Sequence, residues 1–222
     1  MRNISTAGHS RRTYGDLVSE LDFLPEPVGD SPVLETFRLL AIQVERMLPQ
    51  LERRSILILS ARPGEGRSLV ASGLARALTA LVAPVVLIDA DTIGSGGARN
   101  GAMPTWPVDG ALSHAVNAVV SEPHPRLAPI SKFQVAAGQR SQLQTVDDIT
   151  RALDGAAANG AVAVIDTPAC LSSSLALSLV GRVGGVIYVA RKRVEDASTH
   201  REIRGQLDLL GAKVLGVVFN EG

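Results

Sequence analysis

The chain reads as an α/β protein: a doubly wound, mainly parallel sheet with helices on both faces. Short apolar, β-branched runs occur at "SILILS" (55–60), "PVVLIDA" (84–90), "AVAVID" (161–166), "GVIYVA" (185–190) and "KVLGVVF" (213–219). The runs are continuous rather than alternating, as strands buried on both faces must be. Helical spacing fills most of the intervals between them, the pattern of strands joined by crossover helices.

Taken in order, residues 1–30 mix Ser, Thr, Gly, Arg and Pro with little periodicity and end in "LPEPVGD", which predicts a flexible N-terminal tail. The domain is expected over 31–222. It starts with an amphipathic helix, "PVLETFRLLAIQVERML" over 32–48. Ser31 serves as its cap, Pro32 lies in its first turn, and Val33, Phe37, Leu40, Ala41, Val44 and Leu48 form one apolar face. The first strand, 55–60, runs into "ARPGEGRS" (61–68), and "SLVASGLARAL" continues as a helix. The second strand ends at Asp89, with Asp91 just beyond it. Residues 92–110 carry five glycines and two prolines in nineteen positions, too many for a regular element, and predict a long loop. A weaker strand is expected at "KFQVAA" (132–137). The later strands follow at 161–166, 185–190 and 213–219.

Composition limits the function classes. At 222 residues the chain can bury a core without disulfides or metal. Lys plus Arg equals Asp plus Glu at 22 each, so no global field favours nucleic acid or anionic lipid, and nucleic acid is not an expected partner. The single cysteine, Cys170, cannot form an internal bridge, in keeping with a reducing, cytoplasmic setting. The longest apolar stretch, 78–88, is broken by Pro84 and falls short of the roughly 20 residues a bilayer span needs. Arg2, Arg11 and Arg12 have no apolar stretch behind them, so a secretory signal is not expected.

In a doubly wound sheet, ligands bind outside the carboxyl ends of the strands, and three motifs fall there. "ARPGEGRS" compares with the phosphate-loop pattern of Gly, four residues, Gly, Lys and Ser or Thr. Gly66 and Ser68 match, while Ala61 replaces the first Gly and Arg67 the Lys. With a strand before it and a helix after it, such a loop aims backbone N–H groups and a helix N-terminus at an anion. A Gly-rich turn used only for packing is the plain alternative. Asp89 with Asp91 at one strand end, and Asp166 at another, supply carboxylates where a phosphate loop needs Mg²⁺ ligands. A single Asp there is ordinarily a cap or turn residue; three on two strands beside a phosphate loop point to a Mg²⁺-nucleotide site.

"SPVLETFRLL", "ARPGEGRS", "VVLIDAD", "AVIDTP" and "VLGVVFN" together resemble, in order and spacing over residues 31–220, the bacterial tyrosine kinases of exopolysaccharide and capsule synthesis. Those kinases are P-loop ATPases related to the cell-division and partition ATPases. The resemblance implies that Gly64, Glu65, Gly66, Arg67 and Ser68 line the phosphates of ATP. Mg²⁺ would be served by Ser68, Asp89 and Asp166. Asp91, with Asp89 and Arg67, would act in catalysis, Asp91 accepting the proton of a tyrosine hydroxyl, and Asn220 falls where the wider group contacts adenine. It also implies a membrane polysaccharide co-polymerase or chain-length regulator as partner, a location at the inner face of the membrane through that partner, and self-assembly through the 32–48 helix, where Glu35 and Arg38 are kept.

The departures bear on activity. Besides Arg67, Ile93 stands where an Arg is expected and Ala169 where a second Pro is. Ser174 and Leu175 stand where an Asp tends to be, and Ala41 replaces an Arg of the assembly motif. The tyrosine cluster that is the family's own substrate has no counterpart: the sequence given has Tyr14 and Tyr188, the latter in a core-strand pattern. These departures favour ATP binding with weak or absent turnover, in a regulator of polysaccharide polymerisation or export. The alternatives are an active ATP-dependent tyrosine kinase acting on another protein and a partition-type ATPase, the latter disfavoured by Arg62 where that group carries an extra Lys.

Overall fold

The computed structural model describes residues 32–82, 84–90, 130–134, 142–191 and 197–220. The expected tail, the 92–110 loop, Asp91, Tyr14 and Ile93 lie outside the described residues. Six parallel strands form one sheet: β1 (Ser55–Ser60), β2 (Val85–Asp89), β3 (Ile130–Gln134), β4 (Val162–Asp166), β5 (Gly185–Arg191) and β6 (Val214–Asn220). Their spatial order is β3-β2-β4-β1-β5-β6. The helices are α1 (Pro32–Met47), α2 (Arg67–Leu78), α3 (Gln142–Ala158), α4 (Leu175–Leu179) and α5 (Ala197–Leu209). The five apolar runs become strands within a residue of their expected bounds. Of the weak run expected at 132–137, residues 132–134 lie in β3, which begins at Ile130 and pairs Val85 with Ile130 through Asp89 with Gln134; residues 135–137 lie outside the described residues.

The two-residue strand period divides the central sheet between two cores. Leu57 and Leu59 of β1, Val86 and Ile88 of β2, Ile165 of β4 and Val186 of β5 face one side. There they meet Val146, Ile149 and Leu153 of α3, Leu175 and Leu179 of α4, and Ile203 and Leu207 of α5. Ile56, Ile58, Val85, Leu87, Val164, Ile187 and Val189 face the other side, against Ala41 and Val44 of α1 and Val70, Leu74 and Leu78 of α2. Each fully buried aliphatic side chain contributes about 1.5–3 kcal/mol, so both layers hold the sheet.

The α1 stripe packs largely as its spacing predicts, with Ala41, Val44 and Leu48 buried and Phe37 and Leu40 against them. Phe37 lies so close to Gly73 of α2 that a Cβ there would be 2.6 Å from its ring, so the missing side chain is what lets the two helices approach. Val33 departs from expectation: it is exposed.

This topology sets the site. The helix that follows β1 covers one face and the helix that follows β4 covers the other, although the two strands are neighbours. Segments that leave adjacent strand ends in opposite directions open a crevice, the place where such sheets bind ligands.

Candidate functional site

The crevice begins with the loop between β1 and α2. Gly64 and Gly66 have φ of 82° and 92°, the left-handed region that side chains avoid. Gly66 is the N-cap of α2, so the first-turn N–H groups of Arg67 and Ser68 point out of the helix without intrahelical acceptors. A helix start of this kind attracts anions. A Cβ on Gly66 would lie 2.3 Å from Nδ2 of Asn220, which donates to the Glu65 carbonyl at 3.2 Å. Asn220 therefore reaches the loop from the end of β6, bringing together residues 155 positions apart.

Glu65 is buried, and its carboxylate turns into its own loop: Oε2 accepts the Arg62 backbone N–H at 2.7 Å. Its side chain is bonded within the loop and not turned out of it. Ser68 is half-buried in the first turn of α2.

The carboxylates stand opposite. Asp89 and Asp166 are register partners at the ends of β2 and β4, both buried, and the Ala90 N–H donates to the Asp166 carbonyl at 2.8 Å. Beyond Asp166 the chain is pinned to β1: the Thr167 hydroxyl donates to the Ile58 carbonyl at 3.0 Å and the Cys170 N–H to that of Ser60 at 2.9 Å.

Arg67 joins the two sides. Its Nε donates to Oδ1 of Asp166 at 3.2 Å and its Nη1 to the Ser60 hydroxyl at 2.8 Å. Both charged side chains are buried, 7% and 8% exposed. The Ser60 hydroxyl donates in turn to the Arg62 carbonyl at 3.1 Å, so the guanidinium is fastened to Asp166 and, through Ser60, to the loop itself. Removing either member of such a pair leaves a buried charge without its counter-ion. The guanidinium also acts on Cys170: burial pushes that thiol up to about 11, and the nearby Arg67 charge pulls in the opposite direction.

Ser60 was not among the expected site residues; the available signal is a hydroxyl ending an otherwise apolar strand. A second unexpected group lies behind the loop. The Tyr188 hydroxyl and His200 Nδ1 are 2.7 Å apart, with the rings edge to face, and His200 Nε2 lies 3.9 Å from Oε1 of Glu65. Tyr188 is buried, in agreement with its core-strand pattern. Glu35 and Arg38, expected at an assembly surface, form an exposed ion pair at 3.3 Å one turn apart.

Mg²⁺ favours a few carboxylates together with substrate phosphates. The hydroxyl of Ser68 and the carboxylates of Asp89 and Asp166 are donors of that kind. Among the described residues no group of three His, Cys, Asp or Glu side chains could hold a metal by itself. The donor set therefore fits an ion that arrives on a nucleotide's phosphates, with one of its carboxylates already bonded to Arg67.

No protein-family model matches the sequence, and no curated protein matches it. Solved structures do. The kinase domain of Escherichia coli tyrosine kinase ETK aligns with a TM-score of 0.64 at 22% identity, covering 84% of this chain and 74% of that one. The VpsO kinase domain aligns at 0.57 with 22% identity, over 94% and 98%. The chain has the fold of the bacterial tyrosine-kinase domains. That fold extends to the partition ATPases: a ParA family ATPase from Chlorobium tepidum TLS aligns at 0.52 with 12% identity, over 77% and 75%. The expected parallel, P-loop-type sheet is thus found, and with it the tyrosine-kinase-domain fold that the motifs resemble. Among the described residues no helix is long and apolar enough to cross a membrane.

Proposed function

We propose that the protein is a nucleotide-binding component of exopolysaccharide or capsule biosynthesis, one that binds ATP and transfers its phosphoryl group weakly or not at all. The observation that carries this reading is the buried Arg67–Asp166 pair. Phosphoryl transfer depends on placing charge around the moving group, and a misplacement of about 1 Å can cost roughly a hundredfold in rate. Here the loop cation is longer and planar where the motif has a lysine, and it is drawn onto the carboxylate expected to serve the metal. The positive charge remains beside the loop, so binding is kept while the geometry for transfer is altered.

In this reading the backbone of Gly64, Glu65, Gly66, Arg67 and Ser68 receives the phosphates, and Asn220 lies toward the base. Mg²⁺ arriving with ATP would be held by Ser68, Asp89 and Asp166, where it would screen phosphate charge. Asp91 is the group assigned to the acceptor hydroxyl if transfer occurs. Tyr188, buried and bonded to His200, is a structural residue. Occupancy of the site would regulate a membrane co-polymerase at the inner face of the membrane, with assembly through α1.

Calorimetric titration with Mg-ATP tests the binding half, which predicts saturable heat below millimolar nucleotide; none at millimolar concentration overturns it. Incubation with γ-labelled ATP, alone and with a candidate co-polymerase, tests the other half. Label absent or far below one phosphate per chain is expected, and near-stoichiometric label on either protein establishes the kinase instead.

A further inference from the structure

We propose that His200 is a positioning residue of the phosphate loop, holding the Glu65 carboxylate inward so that the loop's one acidic side chain does not meet incoming phosphate. The inference rests on the nucleotide-binding reading and asks why an anion-binding loop carries an acid at its centre. In "ARPGEGRS" Glu65 stands between Gly64 and Gly66, whose φ values of 82° and 92° make the turn. Its backbone carbonyl accepts from Asn220 at 3.2 Å and its Oε2 from the Arg62 N–H at 2.7 Å, which leaves Oε1 for a further contact. Turned outward, the same carboxylate would repel a phosphate group, since like charges so close together are little screened.

His200 supplies the contact. It lies on the face of α5 that carries Ile203 and Leu207 into the core, three and seven positions on, so the packing of the helix places its ring. Its Nδ1 is 2.7 Å from the Tyr188 hydroxyl. Its Nε2, buried and without a hydrogen-bond partner among the described residues, lies 3.9 Å from Oε1 of Glu65. A neutral imidazole has one N–H and one acceptor nitrogen, and a carboxylate offers only acceptors. A bare Nε2 would therefore set lone pair against lone pair. The Tyr188 hydroxyl can instead donate to Nδ1, which leaves the ring proton on Nε2, toward Glu65; a protonated ring presents an N–H there as well. At 3.9 Å the attraction is not a hydrogen bond, but Nε2 and Glu65 are both buried, where a dipole or charge acts with little screening.

Two measurements on the full chain test this role. Nitrogen-15 spectra of the histidine-labelled wild type should show the His200 ring proton on Nε2, and a bare Nε2 overturns the inference. Calorimetric titration with Mg-ADP should give a dissociation constant more than roughly threefold weaker for His200→Leu than for the wild type. In a Glu65→Gln background, where no charge needs holding, the same substitution should change the constant by less than that. A smaller change in the wild-type background, or equal weakening in both backgrounds, overturns the inference and leaves the nucleotide-binding reading standing, because a merely structural histidine would act alike with either residue at 65. Wild-type protein that binds no ADP removes the two together. Should His200→Leu fail to fold, the wild-type spectra alone can still overturn the inference.

Discussion

β1 and β6 are both short apolar runs in one parallel sheet, yet every residue of β1 is buried while Val214, Val217 and Phe219 of β6 are exposed, Phe219 by 67%. Their composition does not separate them; their place in the strand order does. β1 lies between β4 and β5 with a helical layer on each face, whereas β6 is at one edge of the sheet, paired with β5. The difference extends to the site. Arg67, Asp89 and Asp166 are buried beside the ends of β1, β2 and β4, while the edge strand β6 brings Asn220 to the loop. A site that must hold a buried arginine against an aspartate needs the rigid centre.

If that contrast is correct, the largest effect belongs to the buried pair. Asp166→Ala should cost about 3–5 kcal/mol of stability in chemical denaturation, the range for stranding a buried charge. A loss below about 1 kcal/mol would show that the central strand ends are wetter than their burial implies.

The thiol beside Arg67 reports on the same burial. With its pKa pushed up from 9.0 to about 11, Cys170 in the native protein should react with a thiolate-selective reagent at pH 8 about a hundredfold more slowly than in the unfolded chain. The stability sign follows. The unfolded thiol loses its proton first, so the contribution is fully present below about pH 9 and is lost as pH rises toward 11. Equal reaction rates in the native and unfolded protein would contradict the buried setting.

The smallest effects compare the strands directly. Ile58→Val in the centre should cost about 1 kcal/mol, and Val217→Ala at the edge under about 0.5 kcal/mol. A larger loss at Val217 would mean that β6 is covered in solution.

The strength of these contrasts also explains what could be read from the residues beforehand. The apolar runs at 55–60, 161–166 and 185–190 mark their strands because strands buried on both faces must be apolar throughout. The run at 132–137 reads as weak because Lys132 and Gln134 interrupt it, as an outer strand permits. That Arg67, Ser68, Asp89 and Asp166 lie at or just after strand ends was readable, because parallel topology puts those ends on one side of the sheet. Where the guanidinium goes was not recognisable. The direction of Arg67 depends on Asp166, 99 positions away, and on a Ser60 hydroxyl that no spacing rule singles out. The inward turn of Glu65 and the Tyr188–His200 contact behind it are likewise tertiary facts. Asp91 carries the assignment most directly concerned with transfer, and it lies outside the described residues.

The central claim is that this strand-end crevice holds nucleotide and leaves it intact. Retention of γ-labelled ATP on filters, followed by acid quench and separation of the bound label, examines both parts at once. The account predicts retained label that is still ATP after an hour. No retention, or label recovered as free phosphate or on protein, would contradict it.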